Sequence, residues 1–339
     1  MKISNNGIKD ITVIGGGPTG LSAMFRAGMH ETSARLFESL PMLGGQVSAL
    51  YPEKNIYDVN GIPEIKGSDL IQNLWYQIKS FDQEINLGTT VQRIYKNNKK
   101  SNFMVETDKG SYPTNAIIIG GGIGTIAPRE LKVRGIDSIK SGIQYAVKKK
   151  KSYKNQNVVI LGGGDSAVDW ALELQSIANS VHIVHRRDEF RAHASTVKKL
   201  QYLNHRRKLK IYTPYSPYEI DGNNSVKSLT IKNMSGKITT IPCDVILVMY
   251  GFVSNLGPMG NWNIDVEKKR IKVNQRMETS ISGFFAAGDV VSYDGKIKLI
   301  STGFAEAAIA VKSAIEFIHP GKSVKMKFSS ISGKPKGIK

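Results

Sequence analysis

The tightest constraint on this chain is a glycine loop that occurs twice, each time between an apolar run and a helix-like segment. The first copy reads Ile11-Thr12-Val13-Ile14, then Gly15-Gly16-Gly17-Pro18-Thr19-Gly20, then Leu21-Ser22-Ala23-Met24-Phe25-Arg26-Ala27. A β-branched run, a glycine turn and an apolar helical stretch in that order predict a strand–turn–helix unit. Ala34-Arg35-Leu36-Phe37 reads as the next strand, with Glu38 at its end. The whole is a G-x-G-x-x-G dinucleotide fingerprint with its acid about twenty residues on. Gly15 allows the tight turn, Gly17 lets the backbone approach a pyrophosphate, and Gly20 lets helix and strand pack closely. Thr19 lies inside the loop as a further candidate contact. The pyrophosphate would sit on free N–H groups at the helix N-terminus, where the dipole favours an anion. Glu38 would accept hydrogen bonds from ribose hydroxyls. A glycine turn with no ligand is the alternative, and the ordered strand, loop, helix, strand and acid argue against it.

The second copy reads Asn157-Val158-Val159-Ile160-Leu161, then Gly162-Gly163-Gly164-Asp165-Ser166-Ala167, then Val168-Asp169-Trp170-Ala171-Leu172. Gly162, Gly164 and Ala167 form the G-x-G-x-x-A variant, with Asp165 and Ser166 at the helix entry. The next strand is Ser180-Val181-His182-Ile183-Val184, but no acid ends it. His185-Arg186-Arg187 stands there, with Arg191 one turn further on. Guanidinium groups suit a 2′-phosphate, which arginine can grip through two hydrogen bonds. This copy is therefore expected to take NADP rather than NAD, the alternative being a basic surface turn with no ligand.

Other stretches gain meaning from these two. Gly44-Gly45-Gln46 follows soon after Glu38, and Tyr51 offers a flat face for stacking. Gly45, Gln46 and Tyr51 are candidates for the far end of the first dinucleotide. Ser68 to Phe81 predicts a helix with Leu70, Leu74, Ile78 and Phe81 on one face. Segments near 89–95, 102–107 and 111–113 predict a small antiparallel meander. Ile117-Ile118-Ile119-Gly120-Gly121-Gly122-Ile123-Gly124 resembles another cofactor loop, but Thr125 replaces the third small residue and no helical pattern follows. It is expected to be the last strand of a first unit turning into a crossover. Val245 to Phe252 mirrors it. A strand at 283–286 with Gly288-Asp289, and a helix from Thr302 to about Ile318, complete the pattern.

Composition excludes several classes. The chain has 339 residues, enough for two ordinary domains, and no run of about 18 apolar residues that would predict a membrane span. Met1 to Gly7 has no apolar core of a secretory signal, so a cytoplasmic location is expected. One cysteine, Cys243, permits neither an internal disulfide nor a Cys-x-x-Cys pair. The net charge of +19 favours an acidic partner or a solvated basic surface. Nucleic acid is not expected, since no RNA- or DNA-binding signature accompanies the two fingerprints.

Gly15 to Gly20 with Glu38, Gly162 to Ala167 with His185-Arg186-Arg187-Asp188-Glu189-Phe190-Arg191-Ala192, and Ala287-Gly288-Asp289 together resemble the two-dinucleotide-domain flavoproteins of the thioredoxin reductase type. The resemblance covers nearly the whole chain. It implies an α/β fold of two Rossmann-like dinucleotide-binding domains, three-layer ββα in type. It also implies an FAD-binding domain from 1–120 and 283–339, and an inserted NADP-binding domain from 121–282. The dithiol of thioredoxin reductase has no counterpart, because Tyr145 and Lys148 stand at its positions. Members without it, with Gly-Gly-Gln-Val before Leu-Tyr-Pro, are similar to the thioredoxin-reductase-like ferredoxin (or flavodoxin)–NADP reductases, which are FAD-containing homodimers. That similarity implies electron transfer between NADPH and ferredoxin or flavodoxin, by hydride transfer to flavin N5. It implies FAD contacts from Glu38, Gln46, Tyr51, Val91, Ile126, Asp289 and Ser330, with Tyr51 stacked on the isoalloxazine and Phe328 covering its other face. An NADPH oxidase, a reductase for a quinone or iron complex, and a sensor without turnover remain alternatives.

Overall fold

A computed structural model describes residues 7–97, 101–322 and 324. Six α-helices lie among them: α1 (Pro18–Met29), α2 (Gln46–Leu50), α3 (Gly67–Ile78), α4 (Asp165–Leu174), α5 (Ala194–His205) and α6 (Ile300–Ile318). None of the described helices is long and apolar enough to cross a membrane. The chain divides into two compact units, residues 1–126 with 254–339, and residues 127–253.

In the first unit, Lys9–Ile14 is the central strand. It pairs in parallel with Ala34–Phe37 on one side and Gly110–Ile119 on the other, and Glu84–Asn86 and Phe284–Ala286 extend the sheet. Ile11, Val13, Leu36, Ile117, Ile118 and Ile119 are fully buried. Continuous apolar strands of this kind are what a sheet covered on both faces requires. Gly110–Ile119 is one ten-residue strand. Its first half pairs antiparallel with Phe103–Thr107, and Phe103–Thr107 pairs in turn with Val91–Lys96. The expected meander and the expected buried strand are thus joined through a single element. Helix α3 starts and ends close to the expected limits and buries Leu70, Ile71, Leu74 and Ile78.

In the second unit, Asn157–Leu161 pairs in parallel with Ser180–Val184 and Val245–Val248. Ile143–Gln144 and Lys210–Tyr212 complete a five-stranded sheet. A separate three-stranded sheet joins Ile139–Ser141, Tyr215–Asn233 and Ile238–Pro242. Each unit therefore holds a parallel sheet, helices and a second β layer, the three-layer arrangement expected from the sequence. In each, the glycine loop leaves the central strand where the strand order reverses, the usual place for a ligand crevice.

The second crossing between units comes at 253–254, not at the 282–283 boundary expected from the sequence. Residues 254–282 pack on the first unit because their apolar residues belong to its core. Met259, Trp262, Ile264, Ile271 and Val273 are buried there, and the Trp262 indole Nε1 donates to the Gln92 carbonyl at 3.0 Å.

Candidate functional site: two dinucleotide cradles

In the first unit two of the three fingerprint glycines are required by protein neighbours and the third is not. Gly15 has φ +103°, and a Cβ there would lie 2.6 Å from the Gly120 carbonyl oxygen. A Cβ on Gly20 would lie 1.8 Å from the Gly15 carbonyl oxygen, so α1 rests directly on the loop. Gly17 is different: its conformation is ordinary, φ −72° and ψ −179°, and its nearest protein atoms would be 4.0 Å from a Cβ. No protein atom demands glycine at position 17, which fits a ligand's close approach. No side chain caps α1. First-turn N–H groups have no partner inside a helix, so they are available to an anion.

Gly120 docks against this loop. The Gly120 N–H donates to Ile14 O at 2.8 Å, its carbonyl abuts Gly15, and the Gln46 side-chain amide lies against Gly122. Gly44 and Gly45 also dock here, with Gly44 N–H donating to Gly16 O at 2.8 Å and a Gly45 Cβ position 3.1 Å from Gly17 Cα. Helix α2 follows from Gly45 and carries Gln46 at its start and Tyr51 just past its end.

Glu38 is buried, and its carboxylate serves the protein first. Oε2 accepts from Gly16 N–H at 2.7 Å, and Oε1 accepts from Leu40 N–H at 2.8 Å and Ser39 Oγ at 3.2 Å. A carboxylate offers about four lone-pair directions, so capacity for a ribose hydroxyl remains. The Tyr51 hydroxyl is held protonated: burial raises its pKa, and the carboxylates of Asp289 and Asp58 raise it further. Thr19 packs its hydroxyl between Gly288 and Gly303, where added Cβ atoms would stand 2.6 and 2.5 Å away. Val91 is buried just beyond Thr89, whose N–H donates to Glu38 O at 2.9 Å. Ile126 lies in the strand Thr125–Pro128 at the first crossing. Phe328 and Ser330 fall outside the described residues.

In the second unit Gly162 has φ +148°, with a Cβ position 2.5 Å from Met249 O, whereas Gly164 has nothing within 4 Å. The same division recurs: the first glycine serves the fold and the second faces open space. Ala167 is fully buried in the third position, and Ser166 is exposed on the first turn of α4. The segment after Val184 folds back on the loop. The His185 ring lies over Gly163, where a Cβ would meet it at 2.4 Å, and Arg191 N–H donates to Gly163 O at 2.7 Å.

His185 itself is not one of the cationic groups. It stacks on Phe190 at 5.4 Å between centroids, and its Nε2 donates to Glu189 O at 3.1 Å. Burial lowers its pKa, and Arg187, Arg186 and Arg191 lower it further against the Glu189 carbonyl. Arg186, Arg187 and Arg191 stand exposed on the same loop.

Over residues 9–313 the chain matches the pyridine nucleotide-disulphide oxidoreductase family. Its relatives include a ferredoxin–NADP reductase of Halalkalibacterium halodurans, 45% identical over 92% of this chain and 94% of that one. Another is ferredoxin–NADP reductase 2 of Listeria monocytogenes, also 45% identical with coverage of 92% and 94%. This chain belongs to the ferredoxin–NADP reductase family. Among solved structures, thioredoxin reductase of Lactococcus lactis superposes with a TM-score of 0.73 at 27% identity, over 91% of this chain and 99% of that one. The thioredoxin reductase of T. acidophilum, at 22% identity and a TM-score of 0.74 over 91% and 98%, shares the fold.

The reductase has no dithiol. Tyr145 accepts from Leu131 N–H at 3.2 Å through its hydroxyl, and Lys148 is exposed. Cys243 is buried, and burial followed by the Asp244 charge pushes its thiol up to about 12. One residue of the first cradle escaped the sequence reading. Glu306, 2% exposed in the middle of α6, accepts from Gly288 N–H at 2.7 Å, Tyr293 OH at 2.6 Å and Lys296 Nζ at 2.5 Å. It thus fixes the turn that presents Asp289. The signal was a single glutamate in the apolar stretch Gly303-Phe304-Ala305-Glu306-Ala307-Ala308-Ile309, which a surface position would explain equally well.

Proposed function

We propose that this chain is an FAD-dependent reductase that passes electrons between NADPH and ferredoxin or flavodoxin, with FAD in the first unit and NADP(H) in the second. The observation that carries the reading is the arginine loop folded back on the second glycine loop, in a chain whose only cysteine is buried and protonated. The names of its relatives support the same activity. When bound, FAD supplies two-electron chemistry toward NADPH and one-electron chemistry toward an iron–sulfur or flavin partner. The protein binds and orients. First-turn N–H groups of α1 and α4 would hold the two pyrophosphates, and Glu38 an adenosine ribose. Gln46, Asp289 and Val91, with the backbone at Ile126, would line the flavin half, and Tyr51 would stack on the ring. Phe328 and Ser330 enter as part of this proposal only.

The charge fits an acidic partner. Residues 127–253 hold 21 of the 47 Lys and Arg but only 10 of the 28 Asp and Glu, so the excess is densest in the second unit. A homodimer and a cytoplasmic location complete the reading, the former testable by light scattering after size exclusion. Stopped-flow mixing tests the function: NADPH should bleach the flavin faster than NADH, and oxidised ferredoxin added next should recover it. Bleaching without transfer to ferredoxin or flavodoxin would discard the named partner and keep the two-cofactor flavoprotein.

A further inference from the structure

Asp165 has an unexpected place. It is the first residue of α4, where the fingerprint brings a phosphate to the helix N-terminus. A carboxylate there suits the helix dipole but repels a bound pyrophosphate, so direct ligand contact is the wrong role for it. The structure gives it another role. Asp165 Oδ1 accepts from the His193 N–H at 2.9 Å. His193 is the N-cap of α5, and its own Nδ1 accepts from Ser195 N–H at 3.4 Å. The bond therefore joins the start of α4 to the start of α5, across the base of the loop that carries Arg186, Arg187 and Arg191.

We infer that Asp165 is a positioning residue for this arginine loop, and that through it the reductase sets its preference for a 2′-phosphorylated dinucleotide. The loop leaves the sheet at Val184 and is fixed at three points. His185 covers Gly163, Arg191 N–H binds Gly163 O at 2.7 Å, and His193 N–H binds Asp165. The second tie is backbone to backbone, and any residue could make it. The third depends on the Asp165 side chain and lies two residues past Arg191. Arg186, Arg187 and Arg191 lie within six residues of one another and are all exposed. Like charges drawn together repel, so a loop presenting them needs an anchor until an anion arrives. An anchor at its base cuts the ordering that binding would otherwise require. The inference rests on the reading of the second unit as the NADP(H) site.

The test is calorimetric titration of the purified FAD-loaded reductase with 2′,5′-ADP and with ADP, whose ratio of affinities isolates the 2′-phosphate. Asp165→Ala should lower that ratio roughly 10-fold, the scale of one lost charge-assisted hydrogen bond. Asp165→Asn keeps an acceptor oxygen without the charge, and should keep most of the ratio. His193→Pro removes the donor from the other side at φ −55°, an angle proline accepts, and should reproduce the loss. A wild-type ratio in both Asp165→Ala and His193→Pro overturns the inference. So does an equal loss in Asp165→Asn and Asp165→Ala, which would assign the effect to charge. If the unaltered reductase binds 2′,5′-ADP no better than ADP, the NADP(H) reading itself fails, and the clamp with it.

Discussion

Glu306 gives the sharpest test of how the first cradle is held. Its carboxylate and the Lys296 ammonium form an ion pair at 2.5 Å with side chains 3% and 5% exposed. The same carboxylate accepts from Gly288 N–H and Tyr293 OH, and burial with this charge pushes the tyrosine up to about 12. Glu306→Gln keeps one acceptor for Gly288 but strands a buried ammonium. Breaking a buried pair from one side costs about 3–5 kcal/mol, whereas replacing both partners with apolar groups is often near neutral. Glu306→Gln should therefore destabilise the first unit by about 3 kcal/mol, and adding Lys296→Met should recover most of that. Glu306→Leu with Lys296→Met still orphans Gly288 N–H, at a cost of about 1–3 kcal/mol. Urea unfolding of the FAD-free protein measures these costs. A Trp170→Phe background leaves Trp75 and Trp262, both in the first unit, as the fluorescent reporters. The two units need not unfold together, so only the tryptophan transition is read. A loss below about 1 kcal/mol in Glu306→Gln, or no recovery on adding Lys296→Met, would refute the argument.

Other expectations follow from the same geometry. Gly17→Ala should fold within about 0.5 kcal/mol of the parent yet bind FAD at least roughly 10-fold more weakly, whereas Gly20→Ala should fail to give soluble protein. Thermal melts and flavin content separate the two, and a Gly17→Ala protein with full flavin would count against the pyrophosphate placement. Burial and Lys210 hold the His182 pKa below the ordinary imidazole value of about 6.5, and burial with the arginines does so for His185. The unfolded chain then binds protons that the folded chain refuses. Stability is complete above about pH 6.5 and falls as pH drops through the lower folded values. His182→Leu should flatten part of that slope in melts between about pH 7.5 and 5, and an unchanged slope would show that the unpaired His182 Nδ1 does not govern it. The association rate with an acidic ferredoxin should fall at least about tenfold as the Debye length shrinks from about 10 Å to 3 Å, and a rate indifferent to salt would remove the role given to the second unit's charge.

What could be read from the sequence was whatever local stereochemistry dictates. Gly15, Gly20 and Gly162 are glycines because of carbonyl oxygens a few residues away or on the adjoining strand. Strand Ala34–Phe37 and helix Ile300–Ile318 are equally local, and both lie where the apolar pattern puts them. The boundary at 282 was misplaced for the opposite reason. Met259, Trp262 and Ile264 are scattered among polar residues, and only the first unit's core explains their burial. Glu306 was illegible because a buried glutamate is defined by its partners, Tyr293, Lys296 and the Gly288 backbone, and no spacing rule assembles those. His185 stands beside two arginines in sequence, but its environment is set in space, where burial and then those arginines lower its pKa.

The two cradles share a fold but hold their recognition residues in opposite ways. In the first, the acid after the second strand turns inward, and its carboxylate bonds Gly16 and Leu40 N–H. The proposed recognition and the observed scaffolding would then fall on one side chain, so a change at Glu38 disturbs the loop whatever it does to a ligand. In the second, the loop after the second strand is tied by Arg191 N–H, by the His185 ring and by the Asp165–His193 bond. None of these ties uses a guanidinium, so all three arginine side chains stay exposed for a ligand. The third position of each fingerprint fits this contrast. At Gly20 a methyl would collide with Gly15 O at 1.8 Å, while Ala167 is accommodated fully buried. Helix α1 thus sits tight on its loop, and α4 stands off by the room of a methyl group.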